Sequence, residues 1–147
     1  QKTNFLIVGD GHLRPGLESR AAELGVTGNV VFAGSRNDVP SILAGSDIYV
    51  NTSDSEGFSN SVMEAMRAGL SIVVSDVIGN RELITNDING LYFDAMNYKS
   101  LAKKILFLIK NKKKRDDLGN KSTQTISYYD EKRLVSYYSS IYHYEYY

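Results

Sequence analysis

Residues 48–74 have the sequence IYVNTSDSEGFSNSVMEAMRAGLSIVV, in which two short apolar runs enclose a polar loop and a segment with helical periodicity. The runs at 48–50 and 72–74 are rich in β-branched residues, which favour strands. Between them, 60–68 places its apolar side chains on one helical face, and Gly69 is a suitable residue to end that helix. The segment therefore predicts a strand, a helix and a second strand.

The same alternation of strand and helix continues on both sides of this segment. Further strands are predicted at the apolar runs 5–8, 30–32 and 90–93. Further helices are predicted from the periodicity of 13–24, 39–44 and 101–109. Because the apolar runs do not alternate with polar residues, they are typical of parallel strands covered on both faces. We therefore predict an α/β fold with an open parallel sheet, right-handed crossovers and flanking helices.

The composition fits one globular domain and excludes several classes of site. The chain has 147 residues, with 17 Lys and Arg against 17 Asp and Glu, so no net charge favours non-specific binding of nucleic acid. It has no Cys, which excludes a disulfide scaffold and thiol chemistry, and its two His are too few for a His-rich metal centre. No apolar run is long enough to span a membrane. The chain begins with Gln1 rather than Met, which we interpret as the loss of an upstream part.

The C-terminal third differs in composition from the rest. Eight of the eleven Tyr follow Ser127, and their spacing predicts a terminal helix at about 129–147 with an aromatic stripe. We expect this stripe to pack on the protein itself rather than to stack on a ligand. The basic run 112–115 is followed at once by Asp116 and Asp117, which favours a solvated helix end over a site for nucleic acid or another anionic surface.

Two glycines, Gly9 and Gly11, follow the first predicted strand and allow a tight turn close to a ligand. The turn does not fit a dinucleotide-binding fingerprint, because the next glycine, Gly16, comes too late and no acidic residue ends the second strand. Two interpretations of this segment therefore remain open: a plain strand-to-helix turn, and a turn that contacts a ligand.

The loop at 53–59 and the helix after it have the chemistry of a sugar-phosphate site. Glu56 and Glu64 flank small or capping residues, and the carboxylates can accept hydrogen bonds from vicinal hydroxyls. Free amides at a helix start suit a phosphate. Together they predict a site for a diphosphate between two polyols, as in a nucleotide sugar. The alternative is structural, because 61–64 also has the Ser-x-x-Glu pattern of a capping box.

Taken together, the motifs resemble the C-terminal, nucleotide-binding domain of the GT-B glycosyltransferases, specifically the retaining family 4. The resemblance extends from about residue 4 to 122. It is carried in order by IVGDGHLR at 7–14, VFAGSRNDVP at 31–40, SDIYV at 46–50, EGFSNSVME at 56–64 and VVSDVIGNRE at 73–82. It implies a Rossmann-like sheet that forms one half of a GT-B fold, with 1–147 as a single donor-binding domain.

The resemblance also implies roles for individual residues. Glu64 would bind the ribose hydroxyls, and Glu56 would bind the donor sugar as the catalytic residue. The donor sugar and the diphosphate would be contacted by Gly57, Phe58, Ser59, Asn60 and Ser61. The nucleobase loop would contain Ser35, Arg36 and Asp38. The cleft between the domains would be lined by Gly9 and Gly11.

The implied parent enzyme transfers a sugar from a nucleoside-diphosphate sugar to an acceptor hydroxyl with retention, in polysaccharide or glycolipid biosynthesis. No Asp-x-Asp occurs, so neither a metal nor a cofactor is expected. The acceptor-binding N-terminal domain would be a partner in cis, and this piece alone would be inactive. The expected location is cytoplasmic, with peripheral contact at the inner membrane face. A sugar-nucleotide epimerase half and a non-catalytic docking module are the alternatives.

Overall fold

The computed structural model describes residues 3–55, 57 and 59–129. The chain divides into two compact units, Gln1–Val39 (unit 1) and Pro40–Tyr147 (unit 2). Every strand pair is parallel, and helices flank the strands, as predicted. The described strands form two sheets, with the order β1-β2 in one and β3-β4-β5 in the other.

Unit 1 contains one parallel strand pair and one helix. Its elements are β1 (Phe5–Val8), α1 (Arg14–Glu23) and β2 (Val30–Gly34). Arg14, the first residue of α1, connects the helix to both neighbouring segments. Its guanidinium donates to the main-chain oxygen of Phe32 at 3.2 Å and to the carboxylate of Asp10 at 2.9 Å.

The prediction that the first strand is buried on both faces is wrong. The four side chains of β1 are 39–47% exposed. Among the described residues β1 pairs only with β2, and two strands with one helix offer too little surface to cover both faces.

Unit 2 contains the larger sheet and most of the helices. Its strands are β3 (Ile48–Asn51), β4 (Ser71–Ser75) and β5 (Leu91–Phe93). Its helices are α2 (Val39–Ala44, which starts at the boundary residue), α3 (Asn60–Arg67), α4 (Ile78–Arg81), α5 (Tyr98–Lys110) and α6 (Lys112–Ile126), and a 3-10 turn follows at Ser127–Tyr129. The central strand β4 is buried at all five positions, as expected for a parallel strand covered on both faces.

The core of unit 2 lies between this sheet and the helices. One buried cluster joins β4 and β5 to α5 and α6 through Val73, Leu91, Phe93, Leu108 and Leu118. The helix α3 buries the apolar face that its sequence predicts, with Val62, Ala65 and Met66 inaccessible to solvent.

Helix α6 packs very closely on the turn between α3 and β4. A Cβ added at Gly119 would collide with the main-chain oxygen of Gly69, which itself has a φ of +75°. Next to this contact, the Ser122 hydroxyl donates to the main-chain oxygen of Leu70 at 3.1 Å, and the Thr123 hydroxyl donates to that of Met66 at 3.1 Å. The backbones can approach because Gly119 has no side chain, whereas the positive φ is what favours glycine at position 69.

Two helices, α4 and α6, were not predicted from the sequence, and α5 is longer than its predicted range. The basic run 112–115 begins α6, with Lys112 and Lys113 exposed and the next two cations half-buried. The predicted terminal helix at about 129–147 lies outside the described residues apart from its first position. In the part of the chain that the structure covers, no helix is long and apolar enough to cross a bilayer.

Candidate functional site

A polar cluster lies at the carboxyl ends of β3 and β4, the edge at which open parallel sheets bind ligands. Asn51 ends β3, Ser75 ends β4, and Asn80 belongs to α4. The fully buried Asn80 amide Nδ2 donates to the Ser75 main-chain oxygen at 2.9 Å, and it lies 3.3 Å from the Ser75 hydroxyl and 3.5 Å from Asn51 Oδ1. The cluster therefore connects two strand ends with the helix that follows them.

The same cluster fixes the start of the loop that contains the predicted site. The Ser75 hydroxyl donates to the main-chain oxygen of Ser53 at 2.5 Å, and the Ser53 amide donates to Asn51 Oδ1 at 3.2 Å. Asn80 Oδ1 is buried and has no hydrogen-bond partner among the described residues. The Asn80 side chain is therefore held by the hydrogen bonds of its Nδ2 group alone, and the unpaired buried carbonyl has an energetic cost.

The loop ends at α3, whose first amides are available to a ligand. Ser59 is the N-cap with an extended backbone, and its oxygen accepts the first helical hydrogen bond from the Met63 amide at 3.1 Å. The amides of Asn60, Ser61 and Val62 have no acceptor on any residue that the structure describes. Unpaired amides at a helix start carry partial positive charge, so this end of α3 suits a phosphate group.

The structure contradicts the capping-box interpretation of Glu64. The helix begins at Asn60, so Ser61 and Glu64 both lie inside it, and Ser61 is not the N-cap. The Ser61 hydroxyl lies 3.2 Å from the Ser59 hydroxyl instead. The Glu64 side chain is exposed and accepts no hydrogen bond from a described residue. Its carboxylate is therefore not used to stabilise the helix and remains available to a ligand.

Two of the predicted site residues, Glu56 and Phe58, lie outside the described residues. Gly57, between them, is exposed. Asn60, Ser61 and Glu64 share the exposed face of α3, opposite the buried Val62, Ala65 and Met66. The structure thus brings together the predicted diphosphate-binding and ribose-binding residues that it describes.

The predicted nucleobase loop is an exposed segment of unit 1 directly after β2. Arg36 donates two hydrogen bonds to the Asp38 carboxylate, one from Nε at 2.7 Å and one from Nη2 at 2.6 Å. We call this pair the Arg36–Asp38 fork. This hydrogen bonding holds the pKa of the Asp38 carboxyl below its ordinary value and raises the pKa of Arg36. Ser35 is also exposed. The pair therefore joins two exposed side chains of the loop.

The two predicted cleft glycines differ in what their positions require. Gly9 has a φ of +124°, a region that side chains rarely adopt, and its amide donates to the Gly34 oxygen at 2.8 Å. Gly11 has no positive φ, and a Cβ added there would meet nothing within 4 Å. Its amide donates to the Asp10 carboxylate at 2.9 Å. Of the two predicted cleft glycines, only Gly9 therefore has a backbone conformation that favours glycine.

Sequence reasoning missed the cluster of Asn51, Ser75 and Asn80. The available signal was weak, since it consisted of a polar residue at the end of each of two apolar runs. Two concave surfaces of unit 2 also lie away from the predicted residues. One has a volume of about 390 Å³ beside Asp87 and Lys114, and the other has about 300 Å³ beside Arg67 and Thr123.

Comparison with known proteins gives matches along nearly the whole chain. The model of the family described as glycosyl transferases group 1 matches residues 1–125. The chain is 37% identical over 141 residues to an N,N'-diacetylbacillosaminyl-diphospho-undecaprenol alpha-1,3-N-acetylgalactosaminyltransferase of Campylobacter jejuni, which covers 96% of this chain and 37% of that protein. It is 35% identical over 91 residues to an Escherichia coli UDP-Gal:alpha-D-GlcNAc-diphosphoundecaprenol alpha-1,3-galactosyltransferase, over 61% of this chain and 24% of that one.

A solved structure shares the fold. The chain superposes on Anabaena Alr3699/HepE in complex with UDP-glucose with a TM-score of 0.81 and 27% identity, over 84% of this chain and 36% of that one. The chain thus spans little more than a third of the length of the curated relative from Campylobacter and of this structural neighbour.

Proposed function

Because the chain belongs to the glycosyl transferases group 1 family, we propose that it is the donor-binding part of a longer glycosyltransferase. The donor is a nucleoside-diphosphate sugar, and the rest of the enzyme supplies an acceptor-binding domain. The Anabaena neighbour was solved with UDP-glucose, which supports a donor of this class. The two curated relatives are named for diphospho-undecaprenol acceptors, which supports a lipid-linked saccharide as the acceptor.

The observation that carries this proposal is the exposed face at the start of α3. There, three amides without acceptors in the described structure precede a Glu64 carboxylate that accepts no hydrogen bond from a described residue. The amides suit the diphosphate, which is anionic, and the carboxylate suits the two ribose hydroxyls, which are donors. One helix face thus offers both kinds of partner that a nucleoside diphosphate needs.

In the proposed reaction, the acceptor hydroxyl oxygen forms a bond to the anomeric carbon on the face that the diphosphate leaves. The bond from that carbon to the diphosphate breaks, and the hydroxyl proton passes to an oxygen of the leaving diphosphate. Negative charge grows on the leaving diphosphate, and the amides of Asn60 and Ser61 stabilise it as preorganised donors. We assign the contacts with the donor sugar to Glu56 and to the neighbouring Gly57, Phe58 and Ser59. In this proposal the transfer retains the anomeric configuration. The amides take the place of a metal at the diphosphate, and no cofactor is needed.

We also propose contacts for residues of unit 1. The loop of Ser35, Arg36 and Asp38, in which Arg36 donates two hydrogen bonds to Asp38, would contact the nucleobase. Gly9 and Gly11 would line the cleft toward the acceptor domain. Closure of that domain on the donor would exclude water and orient the acceptor hydroxyl.

The proposal is tested with the full-length enzyme and two matched variants. Glu64→Ala removes the proposed ribose contact, and Glu23→Ala removes an exposed glutamate on α1 that forms only a surface pair with Arg20. We expect Glu64→Ala to weaken UDP binding, measured by calorimetry, about tenfold or more, as for a lost charge-assisted hydrogen bond. Glu23→Ala should leave UDP binding unchanged. Equal UDP affinity in both variants would overturn the assignment.

A further inference from the structure

The zero net charge of the chain conceals a strongly basic segment. Residues 95–115 contain eight of the 17 Lys and Arg and no Asp or Glu, so the remaining residues carry nine cations against 17 carboxylates. This segment comprises α5 and the first turn of α6. Such a separation of charge predicts a local field on one part of the surface even though the whole chain is neutral.

On α5 the lysines form one exposed stripe. Lys99, Lys103, Leu106 and Lys110 follow the spacing i, i+4, i+7 and i+11, which places them on one helix face, opposite the buried Leu108. Leu106 is 52% exposed, and the adjacent Phe107 is 43% exposed. We call these four residues together with Phe107 the basic stripe. It combines cationic heads with two large apolar side chains that nothing in the described fold covers.

Among the described residues, the fold pairs three of the α6 cations but none of the stripe lysines. Lys112 pairs with Asp116 at 2.6 Å, Lys114 with Asp87 at 3.5 Å, and Arg115 with Asp47 at 3.6 Å. In contrast, none of the three stripe lysines forms an ion pair with a residue in the described ranges. Lys99 Nζ lies 6.0 Å from the centroid of the Tyr98 ring. The stripe charges therefore contribute little to the fold and are free to meet an external anion.

We propose that the basic stripe docks the protein on an anionic phospholipid surface. A helix that lies along a bilayer can place its lysine heads among lipid phosphates while Leu106 and Phe107 enter the boundary of the acyl region. Each lysine that lies close to an anionic membrane surface strengthens binding about fivefold. The choice of a membrane over another polyanion rests on the proposed function, in which the acceptor is lipid-linked.

The test uses the full-length protein and two double variants that lose the same charge. Lys103→Gln with Lys110→Gln removes two stripe lysines, whereas Arg20→Gln with Lys121→Gln removes two exposed cations outside the stripe. Co-sedimentation is measured with neutral vesicles of phosphatidylcholine and with anionic vesicles that also contain about 30% phosphatidylglycerol, which gives them a negative surface potential. We expect the stripe variant to bind the anionic vesicles about 25-fold more weakly and the control to be unchanged.

Two further measurements separate the possible outcomes. Leu106→Ala should also weaken binding to anionic vesicles, which a purely electrostatic partner such as nucleic acid would not require. Equal losses in the two double variants, or tighter binding to single-stranded RNA than to vesicles, would overturn the docking surface. UDP binding, measured in the same samples, should be the same in the stripe variant and in the unaltered protein. Vesicle binding without UDP binding would instead refute the proposed function and leave the docking surface standing.

Discussion

Asn80 Nδ2 donates to the main-chain oxygen of Ser75 at 2.9 Å, across a site from which solvent is fully excluded. This bond ties α4 to the end of β4, and the neighbouring Ser75 hydroxyl continues it to the Ser53 oxygen at the start of the loop. The loop that leads to α3 is thus anchored by side chains at two strand ends. The loop that begins at Ser53 ends at Ser59, the N-cap of α3.

Replacing Asn80 by Ala should destabilise unit 2. The variant removes the donor to Ser75 and leaves a buried main-chain oxygen with one fewer partner, which costs about 1–3 kcal/mol of the free energy of unfolding. The measurement is urea unfolding followed by circular dichroism. The matched control is Asn120→Ala, which changes an exposed Asn on α6. If the two variants unfold at the same urea concentration, the anchoring role of Asn80 is wrong.

Replacing Gly119 by Ala should also destabilise unit 2, through a steric contact. The new Cβ would collide with the Gly69 main-chain oxygen, and a backbone atom cannot rotate away as a flexible side chain can. Relief requires α6 to move from its contacts with Leu70 and Met66, which we expect to cost about 1–3 kcal/mol. Thermal unfolding measures the change.

The control for that variant is Gly16→Ala in α1. An added Cβ at Gly16 meets nothing within 4 Å, and Ala is about 1 kcal/mol better than Gly inside a helix. We therefore expect Gly16→Ala to be neutral or stabilising. A Gly119→Ala variant as stable as Gly16→Ala would show that α6 does not approach Gly69 so closely.

The Arg36–Asp38 fork should give the nucleobase loop a pH-dependent shape. The pKa of Asp38 is lowered mainly by its hydrogen bond from Arg36, so the pair is fully formed above the ordinary value of 3.8 and is lost as the pH falls through the lowered pKa. Arg36→Ala should raise the Asp38 pKa toward 3.8, as measured by NMR titration of the carboxyl carbon. Arg20→Ala, which removes a guanidinium from α1, should not change it. An Asp38 pKa that is the same in all three proteins would contradict the fork.

Sequence patterns predicted the elements that bury apolar side chains. The strand β4 and the helix α3 were predicted nearly to their ends, because each has a continuous or periodic set of apolar residues that the core requires. Helix α6 was missed because its contact with α3 uses Gly119, Ser122 and Thr123, which give no apolar periodicity. Burial of β1 was overpredicted, since an apolar run does not indicate how many elements will cover it.

The helix of the candidate site, α3, could be predicted from the sequence, but its N-cap and the buried contact between Asn51 and Asn80 could not. The sequence offered Ser61 as the N-cap of a capping box with Glu64, whereas the structure has the N-cap at Ser59. Nothing local distinguishes two serines two positions apart, because the N-cap is set by the direction in which the preceding loop enters the helix. The contact between Asn51 and Asn80 joins residues 29 positions apart, and no spacing rule indicates it.

The most direct test of the central claim is a backbone NMR titration of the protein with UDP, with GDP and ADP as comparisons. The proposed function predicts that one nucleotide shifts the amide resonances of Asn60, Ser61 and Val62, because their N–H groups would acquire phosphate acceptors. It also predicts that Glu64→Ala weakens this response without altering the spectrum of the free protein beyond α3. Unshifted amides at the start of α3 with saturating amounts of every nucleotide would contradict the account.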